Sequence, residues 1–259
     1  MKTLTLITTF FLICLQTVAQ DFWIPLEPPN PDTEIYCMKS YGEQGLLIGT
    51  QFGLYKTLDN GETWILTGFE GLAAKIDINY LNGDIFLGNR DGLFYSNDSG
   101  NTWNSSAYQD QGGVRSMILS QENNIFIGNH LAQIVKINYT GTEVEVVFDD
   151  NNSGPITSFT QSSEGVLFAG VINFFGYDSG VYRSFDEGDT WEHCWQVPNY
   201  VQTLDIDSFG NIYAGCGGGS YIGLYRSSDM GSNWELVKSG VAVYGIAFAP
   251  DNAIYIGCS

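Results

Sequence analysis

Ser184-Phe185-Asp186-Glu187-Gly188-Asp189-Thr190-Trp191 decides how this chain is read, because its pattern returns three more times. Thr57-Leu58-Asp59-Asn60-Gly61-Glu62-Thr63-Trp64, Ser96-Asn97-Asp98-Ser99-Gly100-Asn101-Thr102-Trp103 and Ser227-Ser228-Asp229-Met230-Gly231-Ser232-Asn233-Trp234 share the form S/T-x-D-x-G-x-T/N-W. The tryptophans stand 39, 88 and 43 residues apart, and 88 is two periods of 44. Just upstream of each motif lies a short apolar run opened by glycine, such as Gly92-Leu93-Phe94-Tyr95 or Gly180-Val181-Tyr182-Arg183. A repeat of roughly 40 residues with strand-like content predicts an all-β chain, a β-propeller of four-stranded antiparallel blades.

Further out, each repeat divides into the same four pieces. An apolar strand A (Lys75-Ile76-Asp77-Ile78, Thr203-Leu204-Asp205-Ile206) is followed by a turn rich in Asn, Gly and Asp. Strand B is a nearly unbroken apolar run ending in Gly: Leu46 to Gly49, Ile85 to Gly88, Ile125 to Gly128 and Val166 to Gly170. Runs of this kind suit strands covered on both faces, as stacked blades require. Strand C leads into the Asp-containing turn, and the Trp opens the outer strand D. The third repeat keeps its strands but loses the motif, with Val144 in place of Trp.

These motifs resemble the bacterial neuraminidase or Asp-box repeat, found in sialidase-like, sortilin-like and glycosidase-like propellers. The resemblance covers nearly all of residues 20–259. It implies that Asp59, Gly61, Trp64, Asp98, Gly100, Trp103, Asp186, Gly188, Trp191, Asp229, Gly231 and Trp234 are structural. Asp and Ser/Thr can bond the turn's backbone N–H groups, Gly accepts positive φ, and Trp fills the gap between blades. Phe22-Trp23-Ile24-Pro25-Leu26 is in phase with the repeat and reads as an orphan strand D. The C-terminal repeat supplies A and B but neither C nor its turn. The expectation is at least six blades, the last incomplete, with more of the polypeptide beyond Ser259.

Met1-Lys2, the apolar stretch Leu4 to Leu15 and Thr17-Val18-Ala19 form a signal peptide over residues 1–19. The remaining chain is expected to be secreted, cell-surface or periplasmic, and no later segment is long enough for membrane insertion. Net charge is −19, from 29 acidic and 10 basic residues, which argues against nucleic acid as a partner. The mature chain keeps Cys37, Cys194, Cys216 and Cys258, enough for two disulfides, and Cys216 and Cys258 end equivalent strands.

Sialidases of this type hold a carboxylate with three arginines. Here Trp23 replaces the N-terminal one, Arg183 and Arg226 share the strand C position of Lys56 and Lys136, and only Arg90 and Arg115 remain. A sialidase is therefore not expected. The ligand face of a propeller is built from its D–A and B–C loops. Two expanded B–C loops carry Phe174, Phe175, Tyr177 and Tyr221, and the D–A loops offer Phe69, Tyr108, Trp195 and Tyr200. Rings beside acids suit a glycan or protein partner, so the expected role is non-catalytic binding. The alternative is a glycoside hydrolase using two of Glu70, Asp110, Asp149, Asp150 and Asp178. Asp149, Asn151 and Ser153 have the spacing of a calcium loop, but Thr160 stands where the bidentate Glu belongs, and no cofactor is expected.

Overall fold

The computed structural model describes residues 28–29, 32–149, 154–172, 179–196, 200–218 and 222–258. Among the described residues twenty-two strands fall into successive antiparallel sheets, each built from strands consecutive in sequence. Sheet one holds β1 (Ile35–Tyr41), β2 (Gly45–Thr50), β3 (Gly53–Thr57) and β4 (Ile65–Glu70). Sheet two holds β5 (Lys75–Ile78), β6 (Ile85–Gly88), β7 (Gly92–Ser96) and β8 (Asn104–Gln109). Sheet three holds β9 (Ser116–Leu119), β10 (Ile125–Gly128), β11 (Gln133–Ile137) and β12 (Val144–Asp149). Sheet four holds β13 (Ile156–Gln161), β14 (Leu167–Val171), β15 (Gly180–Ser184) and β16 (Glu192–Gln196). Sheet five holds β17 (Tyr200–Ile206), β18 (Ile212–Gly217), β19 (Gly223–Ser227) and β20 (Glu235–Ser239). A pair, β21 (Val243–Phe248) and β22 (Ile254–Cys258), follows. Residues 22–26, the expected orphan strand, lie outside the described residues.

The first strands of neighbouring sheets pack in sequence order, β1 on β5, β5 on β9, β9 on β13, β13 on β17 and β17 on β21. Lys39 of β1 forms an ion pair with Asp77 of β5 (2.8 Å), and Asp77 Oδ2 accepts the Leu119 N–H of β9 (2.8 Å). The glycine ending each second strand sets the spacing. A Cβ on Gly88 would lie 2.4 Å from Val114, and one on Gly128 would lie 2.4 Å from Ile156. Only a missing side chain lets the next sheet come this close. The core is therefore a series of layers between sheets, with Phe86, Phe126 and Phe168 fully buried in them.

All four motif turns fold alike. Thr57 Oγ1 donates to Asp59 Oδ1 (2.6 Å) and accepts the Gly61 N–H (2.9 Å), while Asp59 accepts Thr63 N–H (2.9 Å) and Thr63 Oγ1 (2.6 Å). The same bonds recur around Asp98, Asp186 and Asp229. Hydrogen bonds to the Thr57 and Thr63 hydroxyls pull the Asp59 carboxyl down to about 2. The Thr102 N–H and hydroxyl do this for Asp98, and the Thr190 hydroxyl and N–H do it for Asp186, each to about 2. Trp103, Trp191 and Trp234 precede their outer strands rather than opening them, and each indole N–H donates to the turn glycine's carbonyl (3.1, 3.0 and 2.9 Å).

The motif turns of sheets two, four and five each rest on the sheet before them. The Gly100 carbonyl accepts the Gly68 N–H of β4 (2.7 Å), Trp191 lies edge-on to Phe126 (6.4 Å), and Trp234 stacks on Trp195 (4.5 Å, 15°). The strand C cations of that preceding sheet reach the same turns. Lys56 Nζ donates to Ser99 O (3.0 Å), Lys136 pairs with Asp189 (2.6 Å), and Arg183 Nη1 donates to Met230 O (2.5 Å). The motif-less third sheet keeps this arrangement with other residues. Asn138 Oδ1 accepts the Thr142 and Glu143 N–H groups (2.9 and 3.1 Å). The Tyr139 ring lies edge-on to Phe86 (5.5 Å), where it serves as the tryptophans do elsewhere.

Two sequence expectations change here. The four described cysteines are free; Cys216 is fully buried while Cys258 is exposed, so these two do not bridge. Phe69 and Tyr108, expected as loop-face rings, are core residues. Phe69 packs against Phe94 and Trp103 (both 5.2 Å), and Tyr108 is 0% exposed with its hydroxyl donating to Gln111 O (2.8 Å).

Candidate functional site: a cationic cavity on the axis

In the first three sheets the strand B glycine is followed by a polar residue, Thr50, Asn89 or Asn129, that shapes the next turn. Asn89 Oδ1 accepts the Asp91 and Gly92 N–H groups (2.8 and 3.2 Å), and Asn129 Oδ1 accepts those of Leu131 and Gln133 (2.9 and 3.0 Å). These turns close on themselves because the short side chain replaces a backbone acceptor. Their amides are tied down as well, Asn89 Nδ2 to Leu72 O (3.1 Å) and Asn129 Nδ2 to Gln111 O (3.3 Å). The residue between cap and turn tip is thereby held at one place in each sheet. It is Arg90 in sheet two and His130 in sheet three.

The start of strand A supplies two more cations, from adjacent positions of the repeat. Register pairing sets Lys75 opposite Gly88, and Ser116 opposite Gly128 with Arg115 just before it. The Arg115 N–H donates to Gly128 O (2.9 Å), which fixes its backbone. Lys75, Arg90, Arg115 and His130 therefore line one cavity of about 420 Å³, with Tyr36 of β1, Thr157 of β13 and Gln202 of β17 across from them. Contributions from β1 through β17 put the cavity on the axis about which the sheets are arranged. Leu72, Ala74 and Val114 also line it, and among the described residues the lining contains no Asp or Glu.

The electrostatics are unusual for so acidic a chain. Lys39, Lys136, Arg183 and Arg226 are each paired with a carboxylate. Lys75, Arg90 and Arg115 have no carboxylate partner among the described residues, and Arg115 Nε is buried without an acceptor. Burial, with the nearby Arg115, lowers the Lys75 ammonium's pKa. Burial, Arg115 and Arg90 likewise hold the His130 imidazole below its ordinary value. Such a site favours an anion, because a negative group supplies the missing acceptor and relieves the like-charge repulsion.

The residues expected from sequence to form the site are placed otherwise. Phe174, Phe175, Tyr177 and Tyr221 lie outside the described residues, as do Asp150, Asp178, Asn151 and Ser153. Trp195 is half-buried and stacked on Trp234, and Tyr200 is half-buried at the start of β17. Glu70 ends β4, Asp110 follows β8 and Asp149 ends β12, so they sit one apiece on the outer strands of three successive sheets. Asp149 accepts from Gln133 Nε2 (2.9 Å). Among the described residues no group of His, Cys, Asp and Glu is arranged to hold a metal ion. Arg90 and Arg115 were set aside in the sequence because two arginines make no triad; the structure joins them to Lys75 and His130. Alignment on the strand B glycine would have exposed this, since Arg90 and His130 both stand two residues after it.

No protein-family model and no curated protein sequence matches the chain. Solved structures do. Virginiamycin B lyase from Staphylococcus aureus matches with a TM-score of 0.69 at 14% identity, covering 89% of this chain and 79% of that one. YCF48 bound to D1 peptide matches with a TM-score of 0.69 at 17% identity, covering 91% and 79%. The extracellular domain of BT4673 from B. thetaiotaomicron matches with a TM-score of 0.58 at 16% identity over 90% of this chain, which spans only 40% of that domain's length. Among the described residues no helix is long and apolar enough to cross a membrane. The repeated antiparallel sheets and these likenesses identify the fold as all-β and β-propeller-like.

Proposed function

We propose that this chain is an exported, non-catalytic propeller of the Asp-box type that binds a protein or glycan partner through its axial loop face. The observation that carries this reading is the cavity lined by Lys75, Arg90, Arg115 and His130, three of them permanent or near-permanent cations left without carboxylates. A structural scaffold gains nothing from unpaired, partly buried like charges, so their convergence points to an external partner. The four identical turns support the Asp-box assignment. The N-terminal apolar segment supports export, with cleavage after Ala19. The pair β21–β22 suits the first two strands of a sixth blade. The solved neighbours fit this role in kind, since one is an extracellular domain and another was solved with a peptide bound.

Glycoside hydrolysis by two of Glu70, Asp110, Asp149, Asp150 and Asp178 is the competing outcome. A panel of chromogenic glycosides, polysaccharides and immobilised peptides separates the two. Saturable binding without turnover, lost when Arg90 and Arg115 are both replaced by Met at unchanged Tm, supports the binding role. Hydrolysis of any glycoside that is abolished by replacing one of those carboxylates overturns it.

A further inference from the structure

We propose that the axial cavity recognises a single carboxylate, the free C-terminus of a partner polypeptide whose last side chain is aliphatic. The inference rests on the binding role above and names its ligand chemistry. The sequence holds 29 acidic residues against 10 basic ones, yet among the described residues no acid lines this cavity, while four cations elsewhere are each matched with a carboxylate. The buried Arg115 Nε–H is the unmet donor that marks where an acceptor belongs.

Three features narrow the anion. A guanidinium presents a planar fork that matches a planar carboxylate with two parallel bonds, and both Arg90 and Arg115 can offer one. The surrounding charge of −19 repels a polyanion along its length, whereas a lone carboxylate meets only the local cations. The rest of the described lining does not resemble a sugar platform. Besides the His130 imidazole, Tyr36 is its one ring, and its hydroxyl donates to Glu34 (2.7 Å). Leu72, Ala74 and Val114 offer aliphatic surface, while Thr157 and Gln202 can pair with a backbone amide. A volume of about 420 Å³ falls in the range of small-ligand sites and accommodates a terminal residue with its neighbour.

The test is calorimetric titration of the full chain with acetyl-Gly-Gly-Leu as free acid and as C-terminal amide, with glucuronate and with inorganic phosphate. The free acid is expected to bind roughly tenfold or more tightly than the amide, as loss of a charge-assisted bidentate contact requires. Arg115→Met and Arg90→Met should each remove that preference while Tm holds, and the His130 imidazole should titrate higher, by NMR, in the complex. Equal affinity for acid and amide overturns the inference. So does tighter binding of glucuronate, which transfers the site to acidic sugars, or of phosphate, which changes the anion class. A ligand from the wider panel that binds the loop face equally well without Arg90 and Arg115 defeats the carboxylate alone; failure of every ligand to bind defeats the binding role too.

Discussion

The cations near the axis and those at the seams between sheets live under opposite terms. Lys56, Lys136 and Arg183 occupy one repeat position, and each reaches the turn of the next sheet, where a carbonyl or a carboxylate receives it. Lys75 and Arg115 at the start of strand A and Arg90 in the B–C turn instead face a cavity without acids among the described residues. The same residue types thus serve as seams in one place and stand unpaired in the other. Position in the repeat decides which: strand C looks along the array to its neighbour, whereas the start of strand A and the B–C turn look inward to the axis.

The contrast breaks first at the seams. Phe126 is fully buried, with Trp191 at its edge and Lys136 Nζ 5.8 Å from its centroid, so Phe126→Ala should cost about 3–5 kcal/mol in denaturant unfolding. A loss under about 1 kcal/mol would mean that the turn does not pack there.

Acid comes next. The carboxyls of Asp59, Asp98 and Asp186 are each drawn to about 2 by hydrogen bonds within their turns. A lowered folded value means the stabilisation is present above the ordinary range near 3.8 and disappears as pH falls toward 2. Tm should therefore drop steeply between pH 4 and 2, and the Asp59→Asn, Asp98→Asn, Asp186→Asn triple variant should start lower and fall less.

Smaller still is Arg183→Met. Its side chain is 17% exposed and bonds Met230 O, Ser232 Oγ and Glu192, so a loss of about 1 kcal/mol is expected by the same unfolding measurement. At the axis the sign should reverse. Lys75 is partly buried beside Arg115 with its charged form disfavoured, so Lys75→Met should leave Tm unchanged or raise it slightly. A clear fall in Tm would show that Lys75 is a structural cation, and the contrast between seam and axis would dissolve.

The turns were legible because their chemistry is local: Asp98 bonds residues two and four positions away, and any chain with that spacing must fold so. The covered strands were legible for a similar reason, since Ile125 to Gly128 is buried throughout. Chemically similar strands can still differ in fate. Ile212 is 0% exposed, whereas Ile254, at the matching place in β22, is 36% exposed because no further sheet lies against it among the described residues. Tyr139 escaped notice because it replaces a tryptophan from a different place in the motif. It sits inside the turn, and its hydroxyl bonds Asn79, Asn82 and Asp84 of the preceding sheet. The axial cavity was hidden because curvature creates it. Lys75 and His130 are 55 residues apart, and nothing in either neighbourhood marks them as companions until the sheets arc around a centre.

Because the turns of sheets two to five lean backward, onto β4 from Gly100, onto β8 from Gly141, onto Phe126 from Trp191 and onto β16 from Trp234, the molecule has a built-in arrow of time. A nascent chain leaving the ribosome cannot finish one repeat until the next has emerged, so maturation should trail synthesis by a constant lag of about 40 residues. Fragments released at successive lengths would then show protease resistance advancing in steps, each one repeat behind the newest residue.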